Sequence, residues 1–209
     1  MAISRRKAIG LVAGAGVVLG TGAWLNHELN PRTPLPYELP PGGALPVTSE
    51  CDDDPTPTVT EGPFYTPNTP QRTVLRERDT AGMPLVIEGR VLTPDCRPLA
   101  GAVLDFWSCD GNGIYDNEGF RLRGHQFTDR TGAFRVETVK PRDYEQYGIH
   151  RTPHVHVKVQ GRGTRMLTTQ LFFPNEPLNQ RDWFVEESLI MNVTKGSGAL
   201  MARFDFVIL

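Results

Sequence analysis

His154 and His156 are the residues of this chain whose type and spacing most directly allow chemistry. Alternate side chains of an extended strand point to the same face, so the segment 154–156 sets two imidazole rings side by side. Neutral imidazole is the commonest metal ligand in proteins. The pair therefore predicts half of a metal site, although two surface or hydrogen-bonded histidines on one strand face would have the same spacing.

Two tyrosines upstream would complete such a site. Tyr115 ends the turn-rich segment 110–115, and Tyr144 ends the segment 140–144. Two phenolates and two imidazoles form a hard, anionic set of oxygen and nitrogen donors, which suits ferric iron better than zinc or copper. Tyr147 lies three residues beyond Tyr144 and competes for the same role.

The sequence around these four residues resembles the intradiol ring-cleaving catechol dioxygenases. The resemblance covers about residues 61 to 192, and its motifs follow the order of the family. These motifs are Glu61-Gly62-Pro63-Phe64-Tyr65; Gly89-Arg90-Val91 with Pro98-Leu99-Ala100-Gly101-Ala102; Asp105-Phe106-Trp107 leading to Gly113-Ile114-Tyr115; Arg123-Gly124 with Thr128-Asp129; Gly132 and Thr138; Pro141-Arg142-Asp143-Tyr144; Arg151-Thr152-Pro153-His154-Val155-His156; and Leu167-Thr168-Thr169-Gln170-Leu171-Phe172-Phe173. The ordered set is specific where each fragment alone is not.

The resemblance implies a fold, a metal and a role for each site residue. The fold is all-β, a mixed-topology β-sandwich of the intradiol dioxygenase (prealbumin-like) type with long active-site loops. The implied catalytic residues are Arg151 and Gln170 beside the substrate, and Tyr144 as a ligand that doubles as a base. The implied protein ligands of a non-haem Fe(3+) ion are Tyr115, Tyr144, His154 and His156.

Tyr147, His125 and His150 lie near these motifs but are interpreted as residues that do not bind the metal. The Pro-x-x-Tyr spacing of the family matches Tyr144, so Tyr147 is expected to lie at the rim of the pocket. His125 and His150 are expected to be non-ligands.

The implied activity is that of an oxidoreductase that inserts both atoms of O2. It would cleave a catecholic ring between its two hydroxyl groups and give a cis,cis-muconate-type dicarboxylate, with a small aromatic diol and O2 as its partners. The alternative is an exported transthyretin-like β-sandwich that binds a metal or ligand without cleaving rings. A cupin-type oxygenase also uses His-x-His, but cupins usually add a carboxylate and another histidine downstream, and no histidine follows His156. The particular catechol and the oligomeric state stay open.

Short strands are expected to position these residues. The chain of 209 residues contains 21 glycines and 18 prolines, and apolar windows with a helical period are scarce after residue 30. A net charge of −2 argues against a nucleic-acid-binding surface. Apolar runs bounded by turn signals predict strands at residues 85–92, 102–107, 133–139, 155–159, 166–173 and 200–208, with a hairpin turn at 129–132.

Three segments are predicted along the chain: a twin-arginine-type signal segment at 1–26, a proline-rich linker at 27–60 and the catalytic β-sandwich domain at 61–209. Arg5 and Arg6 precede a weakly apolar, glycine-interrupted run, a pattern that resembles a twin-arginine export signal. Cleavage is expected after Ala23, and an uncleaved membrane anchor is the alternative. The protein is therefore expected in the periplasm or outside the cell, and at a membrane only during export.

Three cysteines, Cys51, Cys96 and Cys109, allow at most one disulfide within the chain. Cys96 lies in a turn before a predicted strand and Cys109 lies at the end of that strand, so these two are not expected to pair. Cys51 with either of the other two stays open, as do three free thiols.

Overall fold

The computed structural model describes residues 54–209. The signal segment, the cleavage site after Ala23, most of the predicted linker and Cys51 lie outside the described residues. Within the described part, no helix is long and apolar enough to cross a membrane.

Two β-sheets and a short hairpin make up the fold, which is the mixed-topology, all-β sandwich that the sequence predicts. A single turn of 3-10 helix covers Glu187–Leu189. The strands are β1 (Pro84–Leu92), β2 (Val103–Trp107), β3 (Arg123–Phe127), β4 (Ala133–Val139), β5 (Tyr144–Gln146), β6 (Ile149–Arg151), β7 (His154–Gln160), β8 (Leu167–Phe172), β9 (Asn192–Lys195), β10 (Leu200–Arg203) and β11 (Phe206–Val207).

The first sheet is organised around β1. On one side β1 pairs antiparallel with β4, and on the other it pairs parallel with β10 and β11, while β9 extends the sheet beyond β10. Leu85, Ile87 and Val91 of β1 are buried in the core between the sheets. Glu88 and Arg90 of the same strand are only half-buried, so this part of β1 has one face in the core and one face partly exposed.

The second sheet carries the predicted site, and all its strands are antiparallel in the order β3-β2-β7-β8. Successive side chains of β7 point to opposite faces of the sheet, and Val155, Val157 and Val159 lie in the core between the sheets. The two histidines therefore point to the opposite face of this sheet. They are nevertheless 1% exposed, because loops cover that outer face.

The first sheet differs from the sequence prediction at its last strand. The strand predicted at 200–208 is interrupted at Phe204 and Asp205. There the Asp205 carboxylate accepts a hydrogen bond from the Arg90 amide at 2.8 Å, in place of a backbone acceptor. A Cβ added to Gly89 would lie 1.7 Å from the Phe204 carbonyl oxygen, so this crossing requires glycine.

The cysteines agree with the expected lack of a Cys96–Cys109 pair. Cys96 is disulfide-bonded, whereas Cys109 is a buried free thiol. The Cys109 thiol packs with Trp107 and Tyr115, and burial is the main reason that its pKa is raised to about 12.

Candidate active site

The two histidines of β7 form one wall of a buried cluster of rings on the outer face of the second sheet. The His154 Nδ1 atom lies 2.6 Å from the Thr152 carbonyl oxygen, which accepts its proton. The His154 Nε2 atom is thereby left with a free lone pair, and it lies 3.1 Å from the His156 Nε2 atom. Trp107, the partner of His156 across β2 and β7, stacks on the His156 ring with centroids 4.8 Å apart and an angle of 8°.

The two tyrosines reach the same cluster from separate loops. The Tyr115 and Tyr144 rings meet edge to face with centroids 5.5 Å apart, and the Tyr144 ring centroid lies 5.7 Å from that of His154. Gly113 makes this approach possible, because it has a φ of +82° and a Cβ there would lie 3.0 Å from the Asp143 carbonyl oxygen. The structure thus brings all four predicted metal ligands together.

Burial keeps these four rings neutral in the protein alone. Desolvation is the largest cause that raises the pKa of Tyr115 well above its usual value and raises that of Tyr144. Desolvation also lowers the pKa of His154 to about 3 and the pKa of His156 well below its usual value. Neutral imidazoles are the form that binds a metal, and a bound cation reverses the effect of burial on the phenols, because it favours their anions.

The unsatisfied polar atoms of the cluster fit a metal ion. The Tyr115 hydroxyl lies close to Tyr144, but it is buried without a hydrogen-bond partner of good geometry. Buried polar atoms without partners are costly and rare in folded proteins. A cation held by the phenol oxygens and the facing imidazole nitrogens would satisfy the Tyr115 oxygen and the lone pair of His154.

Arg151 and Gln170 lie beside the cluster and are both buried. Gln170 is the partner of His156 across β7 and β8, so it shares the outer face of the sheet. The Arg151 guanidinium donates to the Gln170 side-chain oxygen at 2.6 Å, and the Gln170 amide donates to the Thr60 carbonyl oxygen at 2.9 Å. These two bonds fix both side chains, and Arg151 is near enough to contribute to the lowered pKa of His154.

Sequence reasoning missed Asp182. The residue is 4% exposed, and its carboxylate accepts hydrogen bonds from the Arg151 Nε atom at 2.9 Å and the Thr152 amide at 3.0 Å. The Phe184 ring lies under the same guanidinium, 4.5 Å from its central carbon. An aspartate between Arg181 and Trp183 has the composition of a solvated loop, so no local signal marked it.

Arg123 is a second residue whose part in the site the sequence did not reveal, although it stands in one of the motifs. It is 1% exposed, and its guanidinium donates to the Asp116 carbonyl oxygen at 2.8 Å and the Phe64 carbonyl oxygen at 2.5 Å. Phe64 stacks on Tyr115 with centroids 4.2 Å apart. Arg123 therefore ties together the two segments that hold the Tyr115 ring.

Tyr147, His150 and His125, which were interpreted as non-ligands, lie away from the cluster. Tyr147 is 89% exposed at the turn between β5 and β6. His150 is exposed and pairs with Glu145, with 2.9 Å between its Nε2 atom and the carboxylate. The His125 Nδ1 atom lies 2.8 Å from the Thr69 carbonyl oxygen. Tyr144, and not Tyr147, is thus the tyrosine beside the histidines.

Comparison with known proteins shows what the chain is similar to. Residues 60–208 match the model of a protein family described as Dioxygenase. A chlorocatechol 1,2-dioxygenase of Pseudomonas sp. (strain P51) is 32% identical over 171 residues, which cover 71% of this chain and 68% of the relative. A catechol 1,2-dioxygenase of Acinetobacter baylyi is 27% identical over 167 residues, or 67% of this chain and 54% of the relative.

Solved structures are similar as well. The dioxygenase domain of a dioxygenase carbohydrate-binding protein fusion from the cellulolytic bacterium Streptomyces sp. SirexAA-E is 45% identical, with a TM-score of 0.69 over 74% of this chain and 97% of that domain. A hydroxyquinol 1,2-dioxygenase from Pseudomonas putida DLL-E4 is 28% identical, with a TM-score of 0.68 over 74% of this chain and 66% of the other. The chain spans about half to two thirds of the length of the first curated relatives that it matches.

Proposed function

The chain belongs to the intradiol dioxygenase family, and from this premise we propose that it is a non-haem Fe(III)-dependent enzyme that cleaves a catecholic ring between its two hydroxyl groups with O2. The product would be a cis,cis-muconate-type dicarboxylate. The observation that carries the proposal is that the Tyr115 and Tyr144 rings pack beside the two histidines of β7. The Nε2 atoms of these histidines lie 3.1 Å apart. A binding module without ring chemistry has no need of a buried and a half-buried phenol beside a buried arginine.

In this proposal Tyr115, Tyr144, His154 and His156 hold the metal. A ferric ion held there would supply Lewis acidity for the two hydroxyl groups of the substrate and would withdraw electron density from the diol, which would activate the ring towards O2. The Thr152 carbonyl keeps the proton of His154 on Nδ1, so its Nε2 faces the centre as a donor. The Trp107 stack holds the His156 ring in its plane.

Tyr144 is the residue proposed to move a proton. It is only half-buried, whereas Tyr115 is 8% exposed, so Tyr144 is the phenol with room to swing away. Burial raises the pKa of Tyr144, so its phenolate would be a strong base in this environment. Its oxygen is then proposed to accept a proton from one hydroxyl of the diol.

Arg151 and Gln170 act on the charge that develops in the ring. The guanidinium is held by Gln170 and by Asp182, so its orientation does not have to be set during the reaction. A fixed cation in a buried site stabilises growing negative charge on the substrate at no reorganisation cost. The Gln170 side chain also donates a hydrogen bond to the Thr60 carbonyl oxygen, so it links the segment 60–64 to Arg151.

A visible absorption spectrum of the purified protein with quantified iron, before and after anaerobic addition of catechol, tests the proposal. Tyrosinate bound to ferric iron absorbs visible light by charge transfer, so a broad band is expected that moves to longer wavelength with catechol. Protein that carries a full complement of iron without such a band would exclude Tyr115 and Tyr144 as ligands, and with them the dioxygenase assignment.

Export is part of the proposal. Arg5 and Arg6 before the weakly apolar run support it, and so does the disulfide at Cys96, because structural disulfides persist in oxidising compartments. Cells that produce the full chain are expected to hold it in the periplasmic or extracellular fraction, and the chain with Arg5→Lys and Arg6→Lys together is expected to stay in the cytoplasm. Equal distribution of both chains would contradict export by this route.

A further inference from the structure

Residues 56–65 form a strap that closes over the outer face of the second sheet. The strap meets the edge strand β8 first and then passes over β7 towards β2 and β3. Each contact joins one strap residue to one of these strands: the Val59 amide to the Thr168 carbonyl oxygen, the Thr60 carbonyl oxygen to Gln170, Glu61 to Lys158 in an ion pair, Gly62 to His156, the Phe64 carbonyl oxygen to Arg123, and the Tyr65 hydroxyl to Asp105. The strap therefore contacts every strand of this sheet.

The strap covers two rings of the candidate metal cluster. Phe64 stacks on Tyr115 with centroids 4.2 Å apart, and a Cβ at Gly62 would lie 3.5 Å from the His156 Cε1 atom. His156 is 1% exposed although it points away from the core between the sheets. Movement of the strap would therefore expose two of the four candidate ligands and weaken their hold on a bound metal.

The first residues of the strap are fixed next to the turn that carries Cys96. The Thr56 amide donates to the Val207 carbonyl oxygen, and the Thr56 hydroxyl accepts from the Val207 amide, both at 2.9 Å. Val207 pairs with Leu92 across β11 and β1. Cys96 follows Leu92 by four residues, in the turn 93–97. The start of the strap is thus one strand away from the strand that leads into this turn.

Cys51 is the cysteine that remains as the partner of Cys96. Cys96 is disulfide-bonded, Cys109 is a free thiol, and the sequence holds one further cysteine. Cys51 stands five residues before Thr56, and five extended residues span up to about 17 Å. This length allows the chain before the strap to reach the turn. Cys96 is exposed, so the bond is open to reductants in solution.

We propose that Cys51 and Cys96 form a redox latch, whose disulfide holds the strap closed over the site. The proposal rests on the ring-cleaving function proposed above for the identity of the metal, and it adds a means of regulation. Closure converts two thiols into a disulfide, and the two electrons and two protons pass to the disulfide of an oxidant, which becomes two thiols. A dithiol reductant reverses the exchange and is itself oxidised to a disulfide. The latch is open in a reducing cytoplasm and closed in an oxidising compartment.

Without the disulfide the strap is held by weak contacts. Of residues 56–65, Val59 is the one that is buried, and the Glu61 side chain is 43% exposed in its ion pair with Lys158. Exposed ion pairs contribute little, and segments with few buried apolar contacts open locally while the rest of a domain stays folded. A covalent tie before Thr56 keeps the strap at a high effective concentration over the sheet. Reduction is therefore expected to open the strap and to leave the two sheets intact.

Amide hydrogen exchange of the metal-free full chain, with and without dithiothreitol, tests the latch. The metal is left out because a reductant also acts on ferric iron. The Thr56 and Val59 amides donate to backbone carbonyl oxygens, and their exchange rates are expected to rise by at least about tenfold on reduction. The amides of β7 should stay within about twofold. Equal exchange of the strap amides in both states would overturn the proposal.

Release of iron to a trihydroxamate chelator tests the consequence for the site. Cys51→Ser and Cys96→Ser are each expected to lose their iron at least about tenfold faster than the oxidised wild type. The double variant should match the single ones, because both residues belong to one bond. Wild-type rates in either single variant, or a further increase in the double variant, would contradict the latch. A chain that binds no iron or cleaves no catechol would refute the proposed function, while the exchange experiment still decides the latch.

Arg97→Ala is the matched control. Arg97 lies in the same turn and forms an exposed ion pair with Asp95 at 2.6 Å, so its loss disturbs the turn without removing a cysteine. Its iron release should stay within about twofold of the wild type, and an increase equal to that of Cys96→Ser would rule out the role of the disulfide. Peptide mapping of the oxidised protein is expected to recover Cys51 joined to Cys96. Cys96 joined to Cys109, or to a second chain, would refute the pairing.

Discussion

His156→Ala is expected to abolish stable iron binding and to lower ring cleavage by at least about 100-fold. Even residues that only support a metal ligand are worth about 10 to 100-fold in affinity or activity, and His156 is proposed as a ligand. Its Nε2 atom is one of the two imidazole donors that face each other in the cluster. Iron per protein by elemental analysis and initial rates with catechol measure the two losses.

His150→Ala is the control for this change. The residue has the same type and lies six positions earlier, but its side chain is 60% exposed and forms an ion pair with Glu145. This variant should keep its iron and its rate within about twofold, since exposed ion pairs contribute little. Full iron and activity in His156→Ala, with circular dichroism showing the native fold, would remove His156 from the metal site.

Tyr144→Phe is expected to lower kcat strongly while it keeps part of the visible absorption. Phenylalanine keeps the ring that packs on His154 and Tyr115 but removes the oxygen that is proposed both to bind iron and to accept the substrate proton. Loss of a general base typically costs about 10²–10⁴-fold, so kcat is expected to fall by that amount. The visible band should weaken and shift without vanishing, because Tyr115 still supplies a phenolate.

Tyr147→Phe is the matched control for this second variant. Tyr147 is 89% exposed, and its hydroxyl faces solvent, so spectrum and kcat should both match the wild type. A Tyr144→Phe protein with unchanged colour and rate would show that the tyrosine of the Pro-x-x-Tyr motif has neither role. Loss of the band in Tyr147→Phe would point to a rearranged hairpin instead.

The orientation of the two histidines could be predicted from the sequence, because the signal for it is local. The period of two in β7 places His154 and His156 on one face and Val155 and Val157 on the other, whatever the rest of the chain does. The position of Tyr115 and Tyr144 opposite that face followed only from the resemblance. Spacing along the chain cannot predict that two loops contact a given strand, because such contacts join residues far apart in the sequence.

What the sequence could not reveal depends on tertiary contacts. Strands β5, β6 and β9 are short and polar, so no apolar alternation marks them. Asp182 is polar in a polar loop, and it becomes a site residue only because the fold buries it against Arg151. The break at Asp205 likewise exists because one side chain replaces a backbone acceptor for the neighbouring strand.

The parallel pairing of β1 with the last strands bears on how the chain is made. Leu85 pairs with Leu200, which is synthesised 115 residues later. At a translation rate of about 5–20 residues per second, that edge of β1 waits roughly 6 to 23 seconds for its partner. Throughout that interval one edge of β1 has unpaired backbone amide and carbonyl groups, because β4 pairs only with the opposite edge. Productive folding of this domain therefore cannot be completed before residues 200–207 leave the ribosome, and holdase chaperones that shield the waiting edge should raise its yield.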